Sequence, residues 1–331
     1  MPRRVAPTQH LRDLSRAQQG VLSRRQVLRL GLSHNYIATQ LAARRWRPAR
    51  PGVYFTFTGH ASFEAHVWAG VLYGGDGAVA SGETAAYLCG LTDRAPSYVE
   101  ISVDARRRVD GQRGHDDIPP LRVRRVLHLP RRRHPSRLPP QTRVEDTVLD
   151  LIDRATSADR VVSLITGSCQ RRLSTARRLG QAAAGRGRLR WRGLVDEVLD
   201  DVRDGVQSPL ERRWRNDVER AHGLPPGQRN HAEKVRGSRL YRDVHYVKYR
   251  TVAELDGNAA HPTEHRELDR ARDNDAVEIA QVTLRYGWRA VAGNPCLTAA
   301  QVGRVLASRG WRGQVTRCGP GCSISVEQAT G

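Results

Sequence analysis

Residues 241–261, YRDVHYVKYRTVAELDGNAAH, alternate as two strands joined by a short turn at 247–250. Because successive strand side chains point to opposite faces of a sheet, Glu254 and Asp256 share one face of the second strand. An antiparallel hairpin folded at this turn sets Asp243, on the first strand, about opposite Glu254. The segment therefore predicts a hairpin that brings three carboxylates together. Their negative charge requires a partner in the folded chain.

Clustered carboxylates repel one another, and each raises the pKa of its neighbours unless a cation or a shared proton relieves the charge. The spacing thus predicts either a divalent metal site or a catalytic proton at the hairpin. The alternative is structural, because an Asp-Gly pair such as Asp256-Gly257 also marks a turn and an acid on a strand also faces water. Spacing alone leaves both interpretations open, since ion networks without a catalytic role have the same pattern.

The formal net charge of the chain is +21, from 55 Lys and Arg against 34 Asp and Glu. A surplus of this size favours binding to a polyanion, because Lys and Arg release the counterions of nucleic acid phosphates. A genome rich in Arg codons is the alternative source of the surplus, and surface charge also serves solubility. DNA is the predicted partner, while a homodimer and an unidentified toxin or defence-system partner are left open.

The sequence predicts a cytoplasmic protein that does not enter a membrane. No segment approaches the ~20 consecutive apolar residues of a membrane span, and the start, MPRRVAPTQHLRDL, lacks the apolar core of a signal peptide. With 331 residues, the chain is long enough for two or three domains with cores of their own.

The five cysteines are odd in number and scattered, which does not indicate a disulfide framework. Cys318 and Cys322 lie close together in a Gly-rich tail. A tetrahedral zinc site needs two more ligands, however, and the neighbouring sequence does not offer them. The tail, residues 316–331, is therefore predicted to be disordered.

Residues 9–58 predict a winged helix-turn-helix. A capping box at Ser23–Gln26 begins one helix, Gly31 ends it, and Ser33 caps the next helix directly afterwards. Two short helices joined by a tight turn are typical of DNA-binding helix-turn-helix units, and RRWRPARPGVYF then fits a wing. The alternative is a small helical module with no role in DNA binding.

The second helix and the wing supply the predicted DNA-binding residues. On the polar face of the helix, four residues are spaced to reach base edges in the major groove: Asn35, Thr39, Gln40 and Arg44. In the wing, three arginines are expected to contact phosphates: Arg45, Arg47 and Arg50.

The rest of the chain predicts an α/β (α+β) protein. Residues 62–130 indicate a mixed α/β domain, and residues 131–204 indicate an Arg- and Pro-rich linker followed by a helical connector. Residues 205–315 predict the order α, β, β, α, β, α, with a charged helix at 264–280 and a last helix capped by Thr298. This order gives a mixed sheet flanked by helices.

Several short motifs resemble a known nuclease family in their order and spacing. SPLE, YRDV, VAELDG followed by His261, LDRARDN and LRYGW are similar to the very-short-patch repair-like endonuclease domains of the PD-(D/E)xK superfamily. The N-terminal half, through GVLSRRQVLRLGLS and RRWRPARPGVYF, is similar to the antitoxin-type DNA-binding domain of abortive-infection systems. The resemblance implies a restriction-endonuclease-like C-terminal domain.

The resemblance also implies roles for the hairpin residues. Asp243 corresponds to the first catalytic Asp and Glu254 to the second acid, while Asp256 stands where many members have Lys. A Lys would orient the attacking water and balance charge at the phosphate, so a metal or a nearby His must take over this function. His261 is the expected substitute, with His265 as a second choice, although a His after a strand also commonly bonds a loop.

Two further groups of residues follow from the same resemblance. Glu211 matches the N-terminal helix acid that helps to hold the metal, and its alternative is an ordinary capping-box Glu. The DRxRD pattern predicts that Asp269, Arg270 and Asp273 brace the hairpin and that Arg272 contacts phosphate. Such a run also fits a solvated face of ion pairs.

The sequence therefore predicts a DNA-binding endonuclease that uses Mg²⁺ or Mn²⁺ to activate water for phosphodiester hydrolysis. The alternative is an antitoxin-like transcriptional regulator whose nuclease-type domain is inactive, because Asp256 replaces the expected Lys.

Overall fold

The computed structural model describes residues 9–203, 209–235, 238–255 and 281–324. Over these residues the chain is a mixed α/β protein, as predicted. It forms two compact units, of which the first comprises 1–151 with 170–178 and the second comprises the remainder. No helix in the described ranges combines the length and the apolar character needed to cross a membrane.

The first unit begins with helices and a small antiparallel sheet. These elements are α1 (Gln9–Ala17), β1 (Val21–Ser23), α2 (Arg24–Arg29), α3 (His34–Ala42), β2 (Arg47–Arg50) and β3 (Val53–Phe55). Ser23 and Gln26 form the predicted capping box of α2, and the Ser33 hydroxyl accepts the Tyr36 N–H at 3.2 Å to begin α3. β3 lies between β1 and β2 and is antiparallel to both.

Apolar side chains from α2, α3 and the sheet form the core of this part. Val27, Ile37, Trp46 and Tyr54 belong to one buried cluster. The Trp46 ring also lies edge-on to Tyr36, with 5.8 Å between the centroids. The two short helices thus gain their stability from tertiary burial, since isolated helices of this length are marginal in water.

A second sheet with flanking helices completes the core of the first unit. Its elements are α4 (Phe63–Gly74), β4 (Val79–Ala80), α5 (Gly82–Leu88), β5 (Val99–Asp104), β6 (Leu121–Val126) and α6 (Leu129–Arg132). β5 is central, antiparallel to β4 and parallel to β6. α4 packs closely on β5, because a Cβ at Gly74 would come within 2.7 Å of Ile101.

Helices of the predicted connector contribute to both units. They are α7 (Val144–Arg154), α8 (Ala158–Gln170), α9 (Ala176–Ala184) and α10 (Arg192–Arg203). The division between the units falls inside α7, α8 and α9. Residues 131–204 are therefore parts of two compact units.

The second unit contains the sheet that carries the hairpin. Its further elements are α11 (Pro209–Arg213), a π-helix (Trp214–Arg220), β7 (Gln228–Val235), β8 (Ser238–Tyr246), a 3₁₀ turn (Val247–Tyr249), β9 (Thr251–Leu255), β10 (Val282–Tyr286), α12 (Trp288–Val291) and α13 (Pro295–Ser308). The strand order is β10-β9-β8-β7. β8 is antiparallel to both neighbours, whereas β9 and β10 are parallel.

The second unit differs from the sequence predictions at three points. β7 was not predicted, because QRNHAEKV lacks the apolar alternation of a half-buried strand. α13 begins at Pro295, so Thr298 is not its cap and instead donates its hydroxyl to the Ala290 carbonyl at 2.7 Å. The tail is not disordered over 316–324, where Ile324 is only 1% exposed. The predicted helix at 264–280 lies outside the described residues.

His66, on α4, is a buried titratable group in the first unit. Its side chain is 5% exposed, its ring lies edge-on to Phe55, and its Nδ1 has no hydrogen-bond partner within the described ranges. Burial lowers the pKa of His66 to about 4, an effect that Asp117 opposes and that Arg50 and Arg47 increase. The imidazole is therefore neutral in the folded protein at neutral pH.

We expect the first unit to lose stability as the pH falls from about 6.5 towards 4. In this range the unfolded chain takes up a proton at His66 and the folded chain does not, which costs about 2 kcal/mol between pH 7 and 5. Chemical denaturation at several pH values should show a slope that is shallower in His66→Leu than in the wild type. His60→Gln is the control, since His60 is exposed, and an unchanged slope in His66→Leu would contradict the assignment.

Candidate functional site

β8 and β9 form the hairpin that the sequence predicts. Val244 pairs with Ala253 and Tyr246 pairs with Thr251, so this register, continued by one residue, sets Asp243 opposite Glu254. The 3₁₀ turn closes the hairpin. The guanidinium of Arg309, just after α13, donates to the Tyr249 carbonyl at 2.6 Å and holds the turn in place.

The two carboxylates of the hairpin have different hydrogen-bond partners. Asp243 Oδ2 accepts the backbone N–H of Leu255 at 2.8 Å, across the strand pair. Glu254 Oε2 accepts from Arg285 Nε at 3.0 Å. Arg285 lies on β10, where it is the register partner of Glu254. Asp243, Glu254 and Arg285 thus occupy equivalent positions on three neighbouring strands, and we call them the carboxylate row.

The carboxylate row has the donor set of a hard-cation site. Carboxylate oxygens are the ligands that Mg²⁺ and Mn²⁺ prefer, and Mg²⁺ sites in proteins often use one or two of them. The Glu254–Arg285 ion pair is partly exposed and is therefore worth little in stability. Arg285 also brings a fixed positive charge next to the carboxylates, a feature that the sequence predictions did not include.

Behind the hairpin, the buried carboxylate of Glu219 joins several elements of the second unit. Its Oε1 accepts from Trp214 Nε1 at 3.2 Å, the Tyr246 hydroxyl at 2.8 Å and the Gly227 N–H at 3.1 Å, and its Oε2 pairs with Arg229. Burial, followed by the charge of Glu219, raises the pKa of Tyr246 well above its usual value of 10. Tyr246 therefore remains a hydrogen-bond donor over the physiological pH range.

Glu219 was not among the predicted residues. In an α-helix, Val218, four residues after Trp214, would lie on the same face as Trp214. The wider turn of the π-helix also places Glu219, five residues after Trp214, on this face. Glu211, the helix acid that was predicted, lies on α11 and is partly exposed. Its role in metal binding stays a prediction.

Several predicted residues lie outside the described ranges, and their roles also stay predictions. They are Asp256, His261, His265, Asp269, Arg270, Arg272 and Asp273. The structure provides one further imidazole on the hairpin, that of His245, which follows Asp243 by two residues and so shares its face. His245 is buried, and its Nε2 lies 3.4 Å from the Gln281 amide nitrogen.

The predicted base-reading residues are on or just after α3. Asn35, Thr39 and Arg44 are exposed, and Gln40 is partly exposed. The Thr39 hydroxyl donates to the Asn35 carbonyl at 2.8 Å. Arg45, also exposed, donates from Nε to Gln40 Oε1 at 2.7 Å.

The other two predicted phosphate contacts are held by intramolecular bonds. Arg47 makes a bidentate pair with Asp117, at 2.7 and 3.1 Å, and lies over the Phe55 ring. Arg50 is 5% exposed and donates to Gln112 Oε1 and the Pro119 carbonyl. The expectation that Arg50 contacts phosphate is therefore wrong, because its guanidinium is buried in the first unit.

A second candidate site in the second unit contains sulfur and nitrogen ligands. One potential ligand atom from each of His222, Cys296, Cys318 and Cys322 lies within 4.8 Å of all the others. Burial raises the pKa of Cys322, but backbone hydrogen bonds from Ile324 and Cys318 and contacts with the neighbouring thiols bring it to about 7. We call these four residues the Cys₃His cluster.

The Cys₃His cluster corrects the sequence prediction that Cys318 and Cys322 have no further ligands nearby. The missing ligands come from segments far away in sequence, His222 after the π-helix and Cys296 in the first turn of α13. The only local signal was the C-x₃-C spacing of Cys318 and Cys322, which is within the range of zinc sites.

Comparisons with known proteins leave the family open. No protein-family model matches the sequence, and no curated protein matches it. Among solved structures, the crystal structure of the RV2827C protein from Mycobacterium tuberculosis is similar, with 16% sequence identity and a TM-score of 0.37. The match covers 58% of this chain and 75% of that chain. At this TM-score and identity, the likeness assigns neither a family nor a function to the chain.

Proposed function

We propose that this protein binds DNA through its N-terminal part and hydrolyses phosphodiester bonds in its second unit with Mg²⁺ or Mn²⁺. The observation that carries the proposal is the carboxylate row, in which Asp243 is opposite Glu254 and Arg285 is alongside. The oxygen donor set fits a hard divalent cation. Asp243 and Glu254 are the residues that would hold it.

The residues of the row have separate tasks in this proposal. A Mg²⁺ or Mn²⁺ ion held by Asp243 and Glu254 would supply Lewis acidity at phosphate and lower the pKa of a water. Arg285 balances negative charge next to Glu254. Many members of the nuclease family that the sequence resembles use a Lys for this function, and Asp256, which stands at the position of that Lys, cannot provide it. The Leu255 N–H fixes the orientation of the Asp243 carboxylate. His261 is the proposed group for proton transfer, since imidazole is the side chain that most often serves as a general base or acid.

Two features of the N-terminal part, together with the charge of the whole chain, support DNA binding. The order of α1, β1, α2, α3, β2 and β3, with β3 between β1 and β2, is that expected of a winged helix. Its predicted recognition helix, α3, has Asn35 and Thr39 at the surface. The net charge of +21 adds affinity for phosphates without sequence preference.

We expect Asp243→Asn and Glu254→Gln to lower metal-dependent DNA cleavage at least about 100-fold, or by about 3 kcal/mol in transition-state stabilisation. Both changes keep the size of the side chain, and an amide in place of the Asp243 carboxylate can still accept the Leu255 N–H, so the effect isolates the charge. The measurement is cleavage of supercoiled, nicked, mismatched and single-stranded DNA with Mg²⁺ or Mn²⁺.

The matched control is Asp200→Asn, which removes an exposed carboxylate of α10 paired with Arg203. It should cut as the wild type does. Cleavage by the wild type that is insensitive to both Asp243→Asn and Glu254→Gln would exclude the carboxylate row as the site.

We expect Arg45→Ala to weaken binding to all duplex sequences and to lower the salt slope by about one unit for each phosphate that the Arg45 guanidinium neutralises. Asn35→Ala should instead relax sequence preference, by about 1–3 kcal/mol at one base pair. Arg106→Ala is the control, because it removes an exposed charge from the loop after β5. Equal effects of Arg45→Ala and Arg106→Ala, measured by titration at several salt concentrations, would count against a specific DNA-binding face.

A second candidate function is an antitoxin-like transcriptional regulator that binds DNA without cutting it. The Glu254–Arg285 ion pair favours it, because a fixed guanidinium can take the place of a metal beside a carboxylate. Such a protein would protect a promoter from nuclease digestion and leave the strands intact.

Removal of Arg285 separates the two functions. If Arg285 replaces the metal, Arg285→Met should create Mg²⁺ affinity that calorimetry does not detect in the wild type, because the Glu254 carboxylate then loses its ion pair with the guanidinium. If the protein is a nuclease, the wild type already binds Mg²⁺, and Arg285→Met lowers cleavage. Arg289→Met, which removes an exposed charge from α12, is the control.

A further inference from the structure

We propose that His222, Cys296, Cys318 and Cys322 bind one Zn²⁺ ion, which holds the C-terminal tail on the second unit. The four ligand atoms already lie within 4.8 Å of one another. This site shares no residue with the carboxylate row and differs from it in chemistry, and the inference does not depend on nuclease activity.

The hydrogen bond of His222 prepares its ring to bind a metal. Its Nδ1 lies 2.8 Å from the Thr316 carbonyl, and a carbonyl only accepts, so Nδ1 carries the proton. In the neutral ring the lone pair is then on Nε2. The side chain is fully buried, and Nε2 has no hydrogen-bond partner in the part of the chain that the structure describes. Metal-binding histidines characteristically donate their other N–H to a backbone carbonyl in this way.

The sulfur geometry also fits a metal centre. Cys296 Sγ and Cys318 Sγ are 3.7 Å apart. A disulfide requires about 2.05 Å, whereas a tetrahedron with metal–sulfur bonds of about 2.3 Å has edges of about 3.8 Å. Cys318 and Cys322 flank a tight Gly-Pro-Gly turn, in which the Cys322 N–H donates to the Gly319 carbonyl at 3.1 Å. Such a turn brings two thiols to one side, as zinc ligands need.

The ligand types select zinc over the cation of the proposed nuclease. Three thiolates and one imidazole form a soft, closed set that matches structural Cys₃His zinc sites. Mg²⁺ and Mn²⁺ prefer carboxylate, carbonyl and water oxygens. All four positions are taken by protein side chains, so the site is structural.

The location of the site indicates what the zinc would stabilise. Val315, Cys322 and Ile324 are buried, and the Thr316 N–H donates to the His222 carbonyl at 2.9 Å. Zinc would thus join the tail, α13 and the end of the π-helix at one point. Because thiolate ligands rarely form such a site in an unfolded chain, the binding free energy adds to folding stability.

The test measures metal on the intact full-length chain. Protein purified under reducing conditions without added chelator should contain about one zinc per chain, and Cys318→Ser or Cys322→Ser should retain less than about a tenth of it. Replacement by Co²⁺ should give the absorption bands of tetrahedral cobalt with thiolate ligands. Cys169→Ser, a cysteine outside the cluster, is the matched control and should keep both signals.

Two wild-type measurements remain informative if a variant does not fold. Cys296, Cys318 and Cys322, identified by mass mapping, should resist alkylation until a strong chelator is added, and the chelator should lower the melting temperature. Asp243→Asn should keep its zinc, which separates this site from the carboxylate row. The proposal is overturned if the wild type binds neither Zn²⁺ nor Co²⁺, if the metal persists in both Ser variants, or if Cys296 and Cys318 form a disulfide instead.

Discussion

The second unit depends on a buried carboxylate that is satisfied from four directions. Moving such a group out of water costs several kcal/mol unless it is paired and hydrogen-bonded. Glu219 meets this condition through four donors. Trp214 lies on the π-helix, Gly227 in the loop before β7, Arg229 on β7 and Tyr246 on β8. The helix and the two strands must therefore keep one arrangement, since any shift would leave part of the carboxylate without a donor. This arrangement fixes the strand that carries Asp243.

The carboxylate row follows from the register of three strands, which sets two carboxylates beside one guanidinium. An antiparallel pairing sets Asp243 opposite Glu254, and a parallel pairing sets Glu254 beside Arg285. The two candidate functions differ in what completes the charge of the row. In a nuclease, a divalent cation and then the substrate phosphate add their charges to the row. In a regulator, solvent and the guanidinium are sufficient, because the row is partly exposed.

Local signals in the sequence predicted much of this arrangement. The capping box of α2, the short helices α2 and α3 and the β8–β9 hairpin follow from short-range sequence patterns and are confirmed. Features set by distant contacts were not predictable. Arg50 has the sequence context of a surface residue but is buried by Gln112 and Pro119, more than sixty residues away. Glu219 reaches its buried position only through the extra residue of the π-helix turn, and a polar β7 gives no alternation to detect. The Cys₃His cluster draws on three segments spread over about a hundred residues, so spacing showed only one pair of ligands.

The proposed zinc site and the Glu219 network meet at the end of the π-helix. The backbone N–H groups of His222 and Leu224 donate to the Glu219 carbonyl at 3.3 and 3.0 Å. His222, the proposed zinc ligand, thus lies one turn beyond Glu219, whose carboxylate bonds to β8. Tyr246, the β8 partner of Glu219, is three residues from Asp243 on the same strand. A metal that fixes His222 therefore limits the motion of the helix end, of the Glu219 carboxylate and of β8 in turn. Zinc would thus support the carboxylate row mechanically while taking no part in its chemistry, because a closed set of protein ligands leaves no position for substrate.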